Sequence, residues 1–309
     1  MTTGFRVLNK GFFSLLQDPG RFGFEHLGVT HGGPMDALAA NWANRLLDND
    51  ADATVIEVTA GGLELEVRTN TMVAITGGDL NLTVNDVPQV PWRSFWVTTG
   101  DRLRFGHPRL GFRAYVGVTG GFKAASKLGS TATVKRDKLG GLRGDGDALQ
   151  MDDLIPAAMM AEEGISRQLP ERFMPDYSGP LLLHLIPGYQ QHEFSNRAWQ
   201  QLGQGKFELD SRSDRMGARM LGEAVESPDL SLFSEPICYG AVQIPPDGQP
   251  IIMLNDRQTL GGYPKVGSIL PLDGFHLAQR QPGTEIRFQP IGLTTAQQQM
   301  RRYMRFFGL

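Results

Sequence analysis

The sequence predicts an all-β protein with helical inserts, organised as two domains. Short apolar runs of strand length recur between turns that are rich in Gly, Pro and Asp. Regular alternation of strands and helices is missing, which favours barrels or sandwiches over a doubly wound sheet. The 309 residues are enough for two ordinary domains. Apolar periodicity fades and prolines cluster over 157–180, so we predict domains at 1–165 and 166–309.

The predicted strands follow one another along most of the chain. In order they are FRVL, TVIEV, LELEV, MVAIT, LNLTV, SFWV, RLRF, RAYVGV, LLLHLI, AVQI, PIIML and EIRF. LELEV alternates between apolar and acidic residues, as expected of a strand with one buried face.

Three segments predict helices, at 34–48, 191–202 and 296–307. In the first of them Leu38, Trp42 and Leu46 recur at helical spacing, and a proline stands in the first turn. Asn41 and Asn44 lie away from this apolar stripe, so they face either solvent or a neighbouring cavity, and taken alone we expect solvent.

A fourth short helix is considered after Ser213. It would bring Arg215 and Arg219 together at i and i+4, which is unfavourable unless an anion lies between them. Asp210, Asp214 or a substrate could provide that anion.

Composition narrows the classes of function. The formal net charge is −3 and 20% of the residues are charged, which gives no overall basis for binding nucleic acid and favours small-molecule substrates. A single cysteine, Cys238, excludes an internal disulfide and a paired-cysteine zinc motif, and suits a reducing cytoplasm. His26 and His31 are too few for a metal site, so none is expected. The sequence contains no eighteen-residue apolar run and no visible targeting segment, so we expect no membrane association.

Two glycine-rich segments in the first half carry candidate binding residues. In 16–36, Asp18 and Arg21 precede Gly32, Gly33 and the first helix, where backbone N–H groups could bind an anion. The alternative is a β-turn that Asp18 caps while Arg21 pairs with it. The basic loop 119–147 is either a phosphate cradle or a solvated surface loop, and it lacks the GxxxxGK[ST] motif.

The stretch LNDRQTLGGYPKVG, residues 254–267, is the strongest candidate site. It combines an acid, two cations, a carboxamide, a hydroxyl and a phenol with three glycines. Each polar group of this kind that is buried without a partner costs about 1–3 kcal/mol, so these groups face either a polar ligand or water. The sequence has no GxSxG, HExxH or GxGxxG motif after a strand, and no basic residue flanks Cys238. The chain therefore shows no nucleophile of its own.

Five ordered motifs together resemble the biotin-dependent carboxyltransferase family, also called the allophanate hydrolase subunit 2 or kinase-inhibitor-antagonist family. Within it the chain looks most like the C subunit of prokaryotic ATP-dependent 5-oxoprolinase. The resemblance extends from about Phe5 to Phe288, and its motifs are QDPGRFGFEHLGV, GGPMDALAANWANRLL, SDRMGARMLG, GAVQIPPDGQPIIML and QTLGGYPKVG.

The resemblance implies a pair of cyclophilin-like β-barrel domains and a place in a complex with the A and B subunits of 5-oxoprolinase. The implied reaction is the ATP-dependent opening of 5-oxoproline to glutamate, in which the lactam oxygen is phosphorylated. ATP, with Mg²⁺, would be used in the complex, and biotin is not required.

The resemblance also implies a set of site residues. The positions that match the family motifs are Asp18, Arg21, Met35, Asp36, Asn44, Asp214, Arg215, Met216, Gln243, Gln258, Gly261, Gly262, Tyr263 and Lys265. Four residues are expected to be catalytic: Lys265, Tyr263, Arg215 and Asp256. The expected substrate-binding residues are Gln258, Thr259, Gly261, Gly262, Gln243, Asp214, Asp18, Arg21 and Asn44.

In this scheme Lys265 and Arg215 offset phosphate charge, and Tyr263 and Gln258 orient the amide. We expect Lys265, Tyr263 and Arg215 to converge on one cleft. The chain departs from the family pattern at Leu260 and at Thr30-His31, which bears on substrate specificity.

Two other functions use the same residues. One is a carboxyltransferase component that acts on urea or a similar amide with carboxybiotin, although the chain has no Ala-Met-Lys-Met or Val-Met-Lys-Met carrier signature. The other is a regulatory protein that antagonises a kinase inhibitor, with the polar loops as its interface.

Overall fold

The computed structural model describes residues 3–229 and 232–309, which form two compact units. The first comprises residues up to Arg21 together with Gly32–Ser178, and the second comprises Phe22–His31 and Gly179–Leu309. The domains predicted from the sequence, 1–165 and 166–309, instead assign residues 22–31 to the first domain and residues 166–178 to the second.

Hydrogen bonds explain both differences in the unit boundaries. Arg167 O accepts from Ser94 N at 2.8 Å, and this holds the segment before 178 against the first unit. Thr30 Oγ1 donates to Asn255 O at 3.1 Å, which ties the 22–31 segment to the second unit.

The first unit consists of two antiparallel sheets and one long helix. Its described strands are β1 (Gly4–Lys10), β2 (Phe13–Gln17), β3 (Val55–Thr59), β4 (Leu63–Val67), β5 (Thr71–Asp79), β6 (Thr83–Val84), β7 (Val87–Pro88), β8 (Arg93–Val97), β9 (Arg102–Arg104), β10 (Leu110–Val118) and β11 (Leu154–Pro156). One sheet has the order β11-β1-β4-β9-β6-β7 and the other β2-β3-β10-β5-β8. Both sheets contribute to a single apolar core, to which Val7, Leu65, Val73 and Val116 belong.

The predicted first helix is confirmed as α1 (Ala37–Leu46). Asp36 caps it, because its carboxylate accepts from Ala39 N at 3.0 Å. The prediction that Asn41 and Asn44 face solvent is wrong, since they are only 9% and 3% exposed. Asn44 Nδ2 donates to Ala53 O at 2.8 Å, so its burial is compensated by a bond that holds the turn after the helix.

The second unit is built on a closed barrel of order β12-β19-β16-β17-β14-β13-β20. Its described strands are β12 (Leu181–Pro187), β13 (Phe207–Leu209), β14 (Gly217–Gly222), β15 (Glu235–Pro236), β16 (Ala241–Gln243), β17 (Ile251–Met253), β18 (Leu260–Gly261), β19 (Lys265–Ile269) and β20 (Glu285–Pro290). β15 and β18 pair with each other outside the barrel. Three helices accompany it, namely α2 (Asn196–Gln204), α3 (Pro271–Leu277) and α4 (Leu293–Phe307).

The structure confirms the all-β class with helical inserts and the helices at α2 and α4, and it adds α3, which the sequence did not predict. The helix considered after Ser213 is wrong. Asp214 Oδ1 accepts from the backbone N atoms of Met216 and Gly217, at 2.8 and 3.1 Å, and this tight turn leads into the strand β14.

Within residues 3–229 and 232–309, no helix is long and apolar enough to cross a bilayer.

Closure of the barrel requires a glycine at Gly267. A Cβ at this position would lie 2.2 Å from Ile186 O on β12, so the paired strands would have to separate. We predict that Gly267→Ala destabilises the protein by about 2 kcal/mol or more, measured by chemical denaturation. Gly203→Ala is the control, because a Cβ there meets nothing within 4 Å and alanine favours the helix α2. Equal effects of the two substitutions would contradict this account of closure.

Candidate functional site

The stretch 254–267 leaves the barrel at the end of β17 and returns to it as β19. Between these strands it forms β18, where Gly261 pairs with Glu235 and Leu260 with Pro236 of β15. The pairing brings Glu235, a residue that the sequence analysis did not select, next to the loop that it did select.

Lys265 begins β19 and is 7% exposed. Its Nζ forms an ion pair with the carboxylate of Glu235, whose side chain keeps 27% exposure. Gln190 binds both partners: its Nε2 donates to Glu235 Oε1 at 2.8 Å, and its Oε1 accepts from Lys265 N at 2.7 Å. The Tyr189 hydroxyl accepts from Gln190 Nε2 at 3.2 Å, and Lys265 Nζ lies 6.0 Å from the centre of the Tyr189 ring. Glu235 is therefore held by the Lys265 ammonium and the Gln190 carboxamide, with Tyr189 beside them.

The surroundings fix the protonation states of this group. Burial opposes ionisation of Glu235, but the polar groups of Lys265, Tyr189 and Gln190 around it outweigh burial and lower the pKa of the carboxyl. Partial desolvation of the hydroxyl, and then its closeness to the Glu235 carboxylate, raise the pKa of Tyr189 to about 12, although the residue as a whole is 70% exposed. Around neutral pH Glu235 is thus ionised and Tyr189 is a hydrogen-bond donor, so the group is suited to binding rather than to proton transfer.

Two carboxamides approach Gly261 from different strands and loops. A Cβ at Gly261 would lie 3.1 Å from Gln243 Nε2 and 3.3 Å from Gln258 Nε2. Gln243 is 2% exposed, and its Nε2 has no hydrogen-bond partner among the described residues. Gln243 is also level with Lys265 on the neighbouring strand. One polar group, which we call the lysine site, is therefore formed by Lys265, Glu235, Gln190, Tyr189, Gln243, Gln258 and Gly261.

Arg215 and Asp256 pair with each other. Arg215 Nε donates to Asp256 Oδ2 at 2.8 Å and Nη2 donates to Oδ1 at 2.9 Å, and the two residues are 7% and 5% exposed. The backbone is joined as well, because Asp256 N donates to Arg215 O at 2.9 Å. This buried bidentate pair joins the entrance of β14 to the exit of β17.

Lys265 and Arg215, the two cations expected to converge, have different places in the barrel register. Lys265 is level with Gln243, which is level with the first residue of β17. Gly217, two residues after Arg215, is level with the last residue of β17. The backbones of Lys265 and Arg215 are thus placed near opposite ends of β17, and each cation has a different carboxylate partner.

The remaining predicted residues of the loop are more exposed. Tyr263 is 45% exposed and Gly262 is also exposed. Thr259 contributes its carbonyl oxygen, which accepts from Ile237 N at 3.0 Å and continues the pairing of β15 with β18. Asp214 belongs to the turn before β14, as described above.

A second polar group in this unit is centred on His31. Its Nε2 bonds the carboxylate of Glu25, and its Nδ1 lies 3.4 Å from Arg257 Nη2. A carboxylate can only accept, so Nε2 carries the proton and Nδ1 faces the guanidinium. Burial, followed by the charge of Arg257, lowers the pKa of His31 accordingly. Arg257 in turn donates to Ile237 O at 3.0 Å, so this group supports the segment that follows β15.

In the first unit, Asp18 and Arg21 bind the glycine-rich basic loop. Asp18 accepts from Thr131 N at 2.6 Å and from Ser130 Oγ at 2.5 Å. Arg21, which is 1% exposed, donates from Nε to Lys127 O at 3.1 Å and from Nη2 to Ser130 O at 3.2 Å. These contacts give both residues a structural role, and they hold the 127–131 part of the loop in place.

The other matched residues of this unit support helix α1. Met35 N donates to Glu57 Oε2 at 2.7 Å, and the Asp36 carboxylate, besides capping α1, accepts from Tyr177 Oη at 2.8 Å. Asn44 fixes the other end of the helix, as described above.

Sequence reasoning missed Glu235, Gln190 and Tyr189. They lie 30, 75 and 76 positions before Lys265, and no motif marks them. The pairing of β15 with β18 and the turn after β12 bring them to the lysine site. A weak signal was present, because a buried lysine needs a carboxylate or other acceptors.

The family model for the carboxyltransferase domain, subdomain A and B, matches residues 27–290. The chain belongs to this family. This confirms the family resemblance stated from the sequence.

Within the carboxyltransferase domain family, two relatives match nearly the whole chain. The chain is 32% identical over 304 residues to the C subunit of 5-oxoprolinase from Escherichia coli, a match that covers 98% of this chain and 96% of the relative. It is 32% identical over 301 residues to the C subunit of 5-oxoprolinase from Haemophilus influenzae, covering 96% and 94%.

A solved structure of the same fold is the Kluyveromyces lactis urea amidolyase, with a TM-score of 0.90 and 25% identity over 99% of this chain and 20% of that chain. The chain spans only part of the solved chains that it matches here, from 20% to 56% of their length.

The Arg215–Asp256 pair predicts a large effect on stability. Arg215→Met leaves a buried carboxylate without its bidentate partner, so we expect a loss of about 3–5 kcal/mol in the free energy of unfolding. Adding Asp256→Leu should recover much of that loss, because the unpaired charge is removed. Arg287→Met, in an exposed pair with Glu285, is the control and should change stability by no more than about 1 kcal/mol. If Arg215→Met matches this control in urea denaturation, the pair is not structural.

Proposed function

We propose that this chain acts as the C subunit of an ATP-dependent 5-oxoprolinase, which converts 5-oxo-L-proline to L-glutamate. One observation carries the proposal: two relatives, each named as the C subunit of 5-oxoprolinase, match the chain almost from end to end at 32% identity. Membership of the carboxyltransferase domain family is consistent with this proposal, because a protein of the same fold is named urea amidolyase.

The lysine site supports a substrate that contains both an amide and an anionic group. Gln243 Nε2 is a buried donor without a described partner, and leaving it so costs about 1–3 kcal/mol. A lactam carbonyl oxygen would accept from it. Lys265 supplies positive charge beside it, and Gln258 and Tyr263 are available to orient the ring.

The proposed reaction uses ATP as a co-substrate. Transfer of the γ-phosphoryl group to the lactam oxygen releases ADP and makes the carbonyl carbon open to water. Addition of one water and cleavage of the C–N bond give the free amine and an acyl phosphate, and a second water releases phosphate and glutamate. Within this scheme Lys265 offsets negative charge on the bound substrate, while Arg215 and Asp256 keep the barrel end intact.

ATP itself is assigned to the complex rather than to particular residues of this chain. The sequence has no GxxxxGK[ST] motif, and among residues 3–229 and 232–309 no three His, Cys, Asp or Glu side chains are grouped to hold a metal ion. We therefore propose that the A and B subunits complete the enzyme in the cytoplasm, that the chain alone does not turn over 5-oxoproline, and that biotin is not required.

Carboxyl transfer is the second candidate. The observation in its favour is the TM-score of 0.90 to urea amidolyase at 25% identity. In that case the lysine site would hold urea or a similar amide next to carboxybiotin carried by another protein. The two functions differ in a simple assay: only the first releases glutamate from 5-oxoproline with ATP and without a biotin carrier.

The activity prediction concerns Lys265→Met in the complex reconstituted with the A and B subunits. This change keeps most of the side-chain stem but removes the charge, so we expect ATP-dependent glutamate release to fall by about 100-fold or more. The melting temperature should change little, because Glu235 retains contact with solvent and with the Gln190 carboxamide. Lys206→Met, at an exposed position of the same unit, is the matched control. Unchanged glutamate release by the Lys265 variant would exclude the lysine site from the reaction.

A further inference from the structure

The Lys265 ammonium and the Gln190 carboxamide bind a single carboxylate, that of Glu235. The Tyr189 hydroxyl lies next to them, since it accepts from Gln190 Nε2 at 3.2 Å. An ammonium group combined with neutral hydrogen-bonding groups suits a carboxylate. Here the carboxylate is the protein's own.

The receiving side of this arrangement is well fixed. Lys265 is held by its place in β19 and by the bond from its backbone N to Gln190 Oε1 at 2.7 Å. Gln190 is 6% exposed, and its Nε2 also contacts Tyr189 Oη at 3.2 Å. Lys265 and Gln190 are thus preorganised, which is the property that allows a receptor to bind a ligand without further ordering.

The occupying side is less enclosed. The Glu235 side chain keeps 27% exposure, whereas that of Lys265 keeps 8%. Glu235 is held in β15 by backbone pairing with Gly261, so its carboxylate can leave by side-chain rotation while β15 stays paired with β18. The site can therefore be vacated without unfolding the ribbon that β15 and β18 form.

We infer that Lys265, Gln190 and Tyr189 form a receptor for a ligand carboxylate, and that Glu235 occupies this receptor as an internal competitor until the ligand displaces it. The inference rests on the proposed function in one respect: the ligand is then the carboxylate of 5-oxoproline, with its lactam carbonyl directed to Gln243. It assigns Glu235 to control of affinity, not to the chemical step.

With an internal competitor, the apparent Kd equals the intrinsic Kd divided by the fraction of molecules in which the receptor is open. Removing the charge of Glu235 should raise that fraction. With Glu235→Gln, which preserves size, we expect the Kd for 5-oxo-L-proline to fall about tenfold. The Kd for 2-pyrrolidinone, the same lactam without the carboxylate, should not change.

The test is isothermal titration calorimetry of the full chain with both compounds. Glu208→Gln is the matched control, because it removes one negative charge from an exposed position of the same barrel and should leave both Kd values unchanged. Tyr189→Phe is the second variant, since Tyr189 is 70% exposed and its replacement does not threaten folding. It should weaken binding of 5-oxo-L-proline several-fold and leave 2-pyrrolidinone unaffected.

Weaker or unchanged binding of 5-oxo-L-proline by Glu235→Gln would overturn the inference, as would equal effects on the acid and the neutral lactam. If Glu235→Gln does not fold, loss of carboxylate selectivity in Tyr189→Phe still supports the receptor, and retained selectivity overturns it.

Glutamate release by the wild-type complex tests the proposed function separately. If the complex is active but its affinity for 5-oxo-L-proline is the same with and without the Glu235 charge, only the competitor role of Glu235 is refuted. If binding is selective for the carboxylate but the complex is inactive, only the proposed function is refuted.

Discussion

The ion pair between Lys265 and Glu235 is the interaction on which the candidate site depends. A lysine that is only 7% exposed is stable in its charged form when a carboxylate and further acceptors surround it. Glu235 meets this requirement because β15 pairs with β18, and Gln190 then joins the backbone of one partner to the carboxylate of the other. The closed barrel, the β15–β18 pair and the turn after β12 are thus all needed to bring Lys265 together with Glu235 and Gln190.

The other buried charges show why polar residues in a family motif need not share one role. Arg215 and Asp256 satisfy each other, while Asp18 and Arg21 bind backbone groups of the 127–131 segment. These groups hold the fold. Gln243 differs, because its Nε2 is buried without a described partner, and Lys265 differs because its partner is partly open to solvent. Unsatisfied or exchangeable polar groups, rather than charge alone, mark the part of the barrel suited to a ligand.

Sequence patterns predicted the features that depend on local order. The short strands and α1 followed from periodicity and composition. The strand β14 and the burial of Asn44 did not, because both depend on partners outside the element itself: Gly217 pairs with Met253 on another strand, and Asn44 bonds Ala53 O after the helix has ended. Glu235 was missed for the same reason, since only sheet pairing brings it to Gly261. The predicted convergence of Lys265, Tyr263 and Arg215 stays a prediction. The strand register places the backbones of Lys265 and Arg215 near different ends of β17.

The most direct test is the titration of the Glu235 carboxyl by ¹³C NMR in the wild-type chain and in Lys265→Met. In the wild type, burial opposes ionisation but hydrogen bonds from Lys265 and its neighbours outweigh it, so the carboxyl should titrate below the ordinary glutamate value. Without the ammonium, burial is the largest remaining influence, and the carboxyl should titrate at a clearly higher pH. A carboxyl that titrates at the ordinary value in both proteins would show that Lys265 and Glu235 are not paired, and would contradict the account of the site.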